Sequence, residues 1–425
     1  MRVLVIGQGG REHALVWALR KSPIIDKLYC APGNGGIAGI AECVPIPVSD
    51  FEGISRFAME QGIDLVVVGP DDPLAEGIVD YLESKGIATY GPRKNAAMIE
   101  SSKVFTKQLM RKYGIPTAEY ESFDQYEDAL AYVRSKGAPI VIKADGLAAG
   151  KGVVVARTMP EAEKALEDIM LSKVFGDSGN SVVIEEFLTG EEMSLLSFVD
   201  GNVVRPMAPS QDHKPVFDDD KGPNTGGMGT YSPLPHISDE VVQQAIDRIV
   251  KPVAEAMVKE GRPFRGVLYA GLMLTDQGPK VIEFNARFGD PEAQVLLPRL
   301  ETDLLEIILA SLEGRLGDID IRWKDEAAVC VILASRGYPG SYEKGHPIEG
   351  LDDLDDEALV FHAGTAIGAD GRLVTSGGRV LGVVGRGATI EQAREKAYVY
   401  ADKIRFEGKH YRTDIAAKAL RGVKR

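Results

Sequence analysis

In the stretch Val281-Ile-Glu-Phe-Asn-Ala-Arg-Phe-Gly-Asp-Pro-Glu292, the polar residues Glu283, Asn285 and Arg287 alternate with Ile282, Phe284, Ala286 and Phe288. Side chains on a β-strand alternate between faces, so a carboxylate, an amide oxygen and a guanidinium would share one face. Carboxylate and amide oxygens are hard ligands suited to Mg²⁺, which takes one or two protein groups and fills its shell with phosphate oxygens and water. The arginine fork matches a phosphate or a carboxylate. A half-solvated edge strand has the same alternation, so the decision falls to the rest of the chain.

A second group of chemical residues lies upstream, in Pro-Ile-Val-Ile-Lys143, Ala-Asp-Gly-Leu-Ala-Ala-Gly-Lys-Gly152 and Val-Val-Val-Ala156. This reads as strand, loop, strand. It is not a Walker A loop, because Asp145 stands in the place of the first Gly, Gly152 in that of the Ser or Thr, and a strand follows instead of a helix. Gly146, Gly150 and Gly152 let backbone N–H groups approach a polyphosphate, and Lys143 and Lys151 add positive charge. The plainer alternative is a solvated hairpin. Downstream, Glu185, Glu186 and Glu192 flank a bend between two strands, where they could read an adenine edge and a ribose hydroxyl or simply be solvated. Residues 205–235 show no regular pattern and carry Gln211-Asp-His-Lys214, Asp218-Asp-Asp-Lys221 and Gly222-Pro-Asn-Thr-Gly-Gly-Met-Gly229. Loops of that length inside a domain are functional or disordered. Alone, His213 reads as a hydrogen-bonded structural histidine, and Asp218 to Asp220 as a solvated acidic turn.

The elements that must position these residues follow from periodicity. Residues 1–100 alternate short apolar strands (Val3 to Ile6, Lys27 to Ala31, Leu65 to Val68) with helical segments (Arg11 to Arg20, Leu74 to Lys85), the rhythm of a doubly wound parallel sheet. Its glycine-rich turns, Gly7 to Gly10, Ala31 to Gly36 and Gly69 to Asp72, fall at the carboxyl ends of strands, where open α/β sheets bind ligands. A nicotinamide site is disfavoured: Glu12 occupies the third glycine of the fingerprint, and no acidic residue ends the second strand. Ser101 to Tyr113 reads as a helix, as do Pro160 to Leu171 and the segment from Ser238, which Pro252 kinks or splits. Gly266 to Met273 and Lys280 to Asn285 form a hairpin that delivers Glu283, and Thr302 to Leu312 is an apolar-faced helix. From about residue 325 strands dominate (Ala327 to Ala334, Leu359 to Ile367, Leu373 to Ser376, Val380 to Val384), followed by a helix after Thr389.

The 425 residues suggest roughly three domains. A net charge of −14 without a long basic run argues against nucleic acid or an anionic membrane as partner. Cys30, Cys43 and Cys330 lack metal-type or redox-type spacing, which fits a reducing compartment, and no signal-peptide core or transmembrane stretch is evident, so the cytoplasm is expected.

Together the lysine-bearing hairpin, the Glu-x-Asn-x-Arg strand and the leading α/β domain resemble the ATP-grasp ligases, and within them the glycinamide ribonucleotide synthetase family. The most specific carriers are Gln211-Asp-His-Lys-Pro, Gly222 to Gly229, and Glu283 to Glu292. Supporting matches are Gly7 to His13, Ala31 to Gly36, Lys143 to Gly152 and Tyr411-Arg-Thr-Asp-Ile415. The resemblance implies an N-terminal Rossmann-like domain over 1–100, an ATP-grasp domain over 101–320 with 115–190 as a mobile ATP lid, and a small β-rich C-terminal domain over 321–425. It implies ATP-dependent ligation of glycine to 5-phosphoribosylamine through a glycyl phosphate. The alternatives are another carboxylate–amine ligase of the same fold, or a nucleotide-binding module without ligase activity. By family position Glu283 and Asn285 hold Mg²⁺ or Mn²⁺, Lys103, Lys143, Gly150, Lys151 and Gly152 meet phosphates, and Glu185, Glu186, Phe187, Leu188 and Glu192 hold adenine and ribose. Arg287 and Lys151 are the catalytic candidates, and Asp212, His213, Lys214, Asn224, Arg287 and Asp290 the substrate contacts. Small-molecule substrates are the expected partners, the chain being a monomer or weak homodimer. Two departures stand out: the strand before Glu283 lacks a further acidic ligand, leaving Asp290, Glu292 or water to replace it, and Ala416 stands where the family commonly has Gly.

Overall fold

The computed structural model describes residues 1–148 and 151–421. The apolar runs at the start form a five-stranded parallel sheet in the order Glu42–Cys43, Lys27–Pro32, Arg2–Gly7, Leu65–Val68, Thr89–Tyr90. Its central strand is buried on both faces, which is why it reads as a continuous apolar run. One expected helix is two: Asp71–Glu76 and Ile78–Ser84 meet at Gly77, whose φ of 92° no helix accommodates. Pro70 and Pro73 confine the first of them.

Two antiparallel sheets follow. Tyr120–Phe123, Val182–Glu186, Ile140–Ala144 and Val153–Ala156 form one, backed by the helices Tyr126–Lys136 and Met159–Leu166. Val203–Pro206, Glu191–Asp200, Arg265–Thr275 and Gly278–Asn285 form the other. The helix ahead of Pro252 does not break. A π-turn at Ile246–Val250 absorbs the missing N–H and joins Asp239–Ala245 to Lys251–Lys259.

The third antiparallel sheet departs most from the reading by segments. Its path is Gln211–Asp212, Gly229–Ser232, Ala327–Ser335, Arg379–Gly387, Leu359–His362, with Lys409–His410 added to Ala327–Ser335. Two strands from the supposed loop 205–235 are thus members of the C-terminal sheet. The single strand expected over Leu359 to Ile367 ends at His362, and Thr365–Ile367 turns away to pair with Leu373–Thr375. Among the described residues no helix is long and apolar enough to cross a membrane.

Candidate active site

A cleft of about 620 Å³ opens between the sheets. One wall is the strand Gly278–Asn285, whose alternation is not strict. Gly271 pairs with Glu283 but Leu272 with Val281, so Ile282 is the extra residue of a β-bulge. Val281 and Phe284 go to the core, while Ile282 joins Glu283, Asn285 and Arg287 on the cleft side. The unpaired Ile282 carbonyl accepts a hydrogen bond from Lys143 Nζ at 2.9 Å.

Glu283 is the charge centre of this wall. Lys214 Nζ lies 3.2 Å from its Oε1. Lys214 first, with Lys143 and Lys103, outweighs burial and brings the Glu283 carboxyl down to about 2. Asn285 Oδ1 accepts from Arg287 Nη2 at 3.3 Å, and the same guanidinium nitrogen lies 3.0 Å from Glu100 Oε1. Burial opposes the charge of Arg287, but Glu100 and Asp71 hold it firmly protonated. Its Nε is buried with no hydrogen-bond partner among the described residues.

The opposite wall comes from the sheet that contains Ile140–Ala144 and Val182–Glu186, and from the helix Lys103–Tyr113. Lys143 and Lys107 flank one carboxylate, at 3.0 and 3.1 Å from Glu185 Oε1. Lys107 also donates to Thr117 Oγ1 at 2.7 Å, and burial together with nearby Lys143 brings its ammonium down to about 8. Glu185 is therefore a counter-ion for two lysines and not a solvated surface glutamate. Asp145 reaches from the hairpin to the start of the helix Lys103–Tyr113, where its Oδ1 accepts from the N–H groups of Lys103 and Val104 at 2.7 and 3.2 Å. Lys103 Nζ donates back to the Gly146 carbonyl at 2.7 Å. Gly152 has no room for a side chain: a Cβ there would lie 2.8 Å from that of Ala148. Lys151 is exposed and lines the cleft, as do Glu186, Phe187, Leu188 and Glu192. Gly150 lies outside the described residues.

At the far end Asp212, Lys214, Asn224 and Asp290 line the cleft. His213 does not; the extended backbone turns it the other way, into the core. There Nδ1 faces the Gly229 carbonyl at 3.1 Å and Nε2 accepts the Ala416 N–H at 3.3 Å, a pattern that fixes the neutral ring with the proton on Nδ1. Burial, with Arg412 nearby, lowers its titration to about 4. In the acidic turn Asp219 is solvated, as expected, but Asp218 and Asp220 are held by the C-terminal segment. Arg412, 1% exposed, forks onto Asp414 and reaches Asp220 at 3.1 Å, Thr413 N–H donates to Asp218 at 2.8 Å, and Lys418 lies 2.8 Å from Asp220. The C-terminal segment thus grips the loop that carries Asp212, Lys214 and Asn224.

Asp290 is occupied: Gln294 Nε2 donates to its Oδ1 at 2.8 Å and the Arg11 N–H to its Oδ2 at 3.4 Å. Burial alone would raise its carboxyl, but Arg379 and Arg11 hold it below the usual range. Glu292 accepts from Tyr269 OH at 2.9 Å. Both carboxylates are engaged within the protein, and among the described residues no three His, Cys, Asp or Glu converge on a metal position. Lys107, Tyr269, Tyr338, Tyr342 and Arg379 also line the cleft. Only Lys107 carries a local signal, since its helical spacing from Lys103 places it one turn on along the same face.

The arrangement puts a row of lysines at one end, two hard oxygen donors with an arginine in the middle, and a buried acid–arginine cluster at the other. Such a cleft can align a polyphosphate with a carboxylate to be activated. Comparison with known proteins is consistent with this. Residues 1–100, 101–293 and 328–418 match the N domain, the ATP-grasp (A) domain and the C domain of phosphoribosylglycinamide synthetase. The phosphoribosylamine–glycine ligase of Caldanaerobacter subterraneus subsp. tengcongensis is 54% identical over 417 residues, covering 98% of this chain and 100% of that one. The Salmonella typhimurium enzyme of the same name is 50% identical over 425 residues, covering 99% of each chain. The crystal structure of the Thermotoga maritima phosphoribosylamine–glycine ligase superimposes with a TM-score of 0.85 at 36% identity, over 98% of this chain and 100% of that one. A Hydrogenobacter thermophilus biotin carboxylase domain solved with MgADP shares the fold, with a TM-score of 0.73 at 16% identity over 99% of this chain and 98% of that one.

Proposed function

The chain belongs to the phosphoribosylglycinamide synthetase family of ATP-grasp ligases and joins phosphoribosylamine to glycine in purine biosynthesis, and we propose that it does so through a glycyl phosphate held in this cleft. A carboxylate does not condense with an amine at neutral pH. A glycine carboxylate oxygen therefore attacks the γ-phosphorus of ATP and ADP leaves. The amine of 5-phosphoribosylamine then attacks the acyl carbon, phosphate departs, and the nitrogen gives up a proton to form the amide of glycinamide ribonucleotide.

Charge develops on the transferring phosphoryl group and then on the tetrahedral carbon, and fixed cations stabilise both. Lys103, Lys143, Lys151 and the backbone around Gly152 meet the ATP phosphates. Phe187 and Leu188 offer an apolar floor to adenine, and Glu186 and Glu192 face its amino group and the ribose. Arg287 steadies the acyl phosphate, while Asp212, Lys214 and Asn224 face the substrates. We place His213 and Asp290 in supporting roles, since their polar atoms are engaged within the protein. The segment 115–190 acts as the lid over ATP.

Glu283 and Asn285 suit a divalent cation, Mg²⁺ or Mn²⁺. The carboxylate is held ionised and the amide oxygen stands two positions on along the same wall. Two protein oxygens leave the remaining positions to phosphate and water, as Mg²⁺ prefers. When bound, such a cation neutralises phosphate charge.

The observation that carries this reading is the convergence of Lys143, Glu283, Asn285 and Arg287 on one cleft. The test is incubation with MgATP, glycine and hydroxylamine. Glycine-dependent ADP release with formation of glycyl hydroxamate is expected; ADP release that ignores glycine but follows another carboxylate would overturn the substrate assignment.

A further inference from the structure

The acceptor carries a phosphate monoester that needs a seat of its own, apart from the ATP phosphates. Of the three glycine-rich turns of the first domain, the two that follow its first and second strands are engaged within the protein. In the first, Glu12 fills the space beneath: its Oε2 accepts the Gly9 N–H at 2.7 Å, and a Cβ on Gly7 or Gly69 would lie 2.2 or 2.1 Å from Glu12 atoms. The Arg11 N–H donates to Asp290 at 3.4 Å, and a Cβ on Gly10 would lie 2.5 Å from the Gln294 amide. In the second, Asn34 Nδ2 donates to the His362 carbonyl at 2.8 Å, Gly35 N–H to Thr365 O at 3.2 Å, and a Cβ on Gly36 would lie 2.2 Å from the His362 ring. That turn is a docking surface for the C-terminal domain.

Arg379 remains. It starts a strand of the third sheet, lines the cleft, and its guanidinium is pinned along one edge. Nη1 donates to the Asp290 carbonyl at 2.8 Å and the Gly227 carbonyl at 3.4 Å, and lies 3.5 Å from the Asp290 carboxylate. Gly226 packs on its face, where a Cβ would stand 2.9 Å from the central carbon. Nε and Nη2 have no acceptor among the described residues, although the side chain is only 21% exposed. Beside it the Tyr338 hydroxyl accepts the Gly226 N–H at 3.0 Å, which leaves its own proton to donate, and Tyr338 also lines the cleft. A planar fork with one edge fixed and the other open matches two oxygens of a phosphate monoester.

We propose that the open Nε/Nη2 edge of Arg379, with the Tyr338 hydroxyl, seats the 5-phosphate of phosphoribosylamine, an assignment that rests on the ligase reading. Asp290, Asp212 and Glu292 surround the guanidinium and keep it firmly charged, at the end of the cleft that Asp212 and Asn224 also line. The seat fixes the sugar from its far side, so that the amine is presented to the acyl carbon.

The test compares the full-length chain with Arg379→Gln, using MgATP, glycine and two acceptors: phosphoribosylamine generated from ribose 5-phosphate and ammonia, and hydroxylamine, which has no phosphate. The ratio of kcat/KM for phosphoribosylamine to that for hydroxylamine is expected to fall roughly 10- to 100-fold, the usual loss of charged hydrogen bonds. Inhibition of hydroxamate formation by ribose 5-phosphate should weaken by a similar factor. Arg379→Lys, which keeps the charge without the fork, is expected to fall between the two. A rise in KM for ATP with no change in the acceptor ratio would move the edge to the nucleotide; equal loss with both acceptors would make Arg379 a structural residue. Either outcome overturns the assignment. A wild-type chain that makes no product from phosphoribosylamine would instead sink the ligase reading itself.

Discussion

Lys214 holds Glu283 across 69 positions of sequence, its Nζ 3.2 Å from the carboxylate. Each side chain is about a third exposed, so Lys214→Met should cost about 1–3 kcal/mol, less than the loss of a fully buried pair. Glu283 has a depressed folded pKa, about 2 against an ordinary 4.5. Its contribution is complete above pH 4.5 and disappears as pH falls through 2. Urea unfolding should therefore show a constant gap between the two proteins above about pH 5 that narrows towards pH 2. A gap that widened with acid would contradict the pairing.

Three buried histidines resist protonation in the folded chain. His13 is pushed down to about 3 by burial and by His362, and His213 and His362 to about 4, chiefly by burial. His13 Nδ1 accepts the His362 N–H at 2.7 Å, as His213 Nε2 accepts that of Ala416, so a proton added to either nitrogen breaks a bond. Unfolded histidine titrates near 6.5 and takes up protons that the native state refuses. Stability should thus be full above about pH 6.5 and fall as pH drops towards 4, by at most roughly 1.4 kcal/mol per pH unit for each ring. His213→Gln keeps an acceptor for Ala416 and removes one titration. Its stability profile between pH 7 and 5 should be flatter by one proton.

Lys107 predicts an alkaline limb in ATP binding. Its ammonium titrates near 8; above that pH Glu185 is left to Lys143 alone and, in the proposed reading, draws it from the phosphates. The dissociation constant for ATP should rise above about pH 8 in the wild type. In Lys107→Met it should be weaker throughout and lack that limb, which a binding titration from pH 6.5 to 9.5 reads directly.

Arg287→Ala should lower turnover by about 2–4 kcal/mol, the usual loss of one donor aimed at developing charge, with little change in ATP affinity. Glu100 then loses its buried counter-ion, and its carboxyl, already raised by burial, takes up a proton. An unchanged turnover number would remove Arg287 from the mechanism.

What the sequence revealed and concealed divides by distance along the chain. The parallel first sheet, the lysine hairpin and the Glu283 to Arg287 wall are written in local periodicity, and a reader of residues finds them. The bulge at Ile282 is not, because it depends on which residue of Arg265–Thr275 stands opposite. Asp218 and Asp220 read as solvated because their partners lie nearly two hundred positions away; Arg412 is 192 residues from Asp220. The same is true of Arg379 and Tyr338, which reach the cleft only through pairing of the third sheet. The partners of Asp290 were equally hidden, because Gln294, Arg11 and Arg379 come from three separate elements.

The membership of Gly229–Ser232 in the third sheet also bears on synthesis. This strand lies between Gln211–Asp212 and Ala327–Ser335, and the grip on its loop comes from residues 412–418. Domains fold in order as they leave the ribosome. The nucleotide end of the cleft can therefore be in place while the acceptor end still waits for the last residues to be made. A chain interrupted before them would keep the lysines of the hairpin and lose the clamp on the loop that carries Asp212, Lys214 and Asn224.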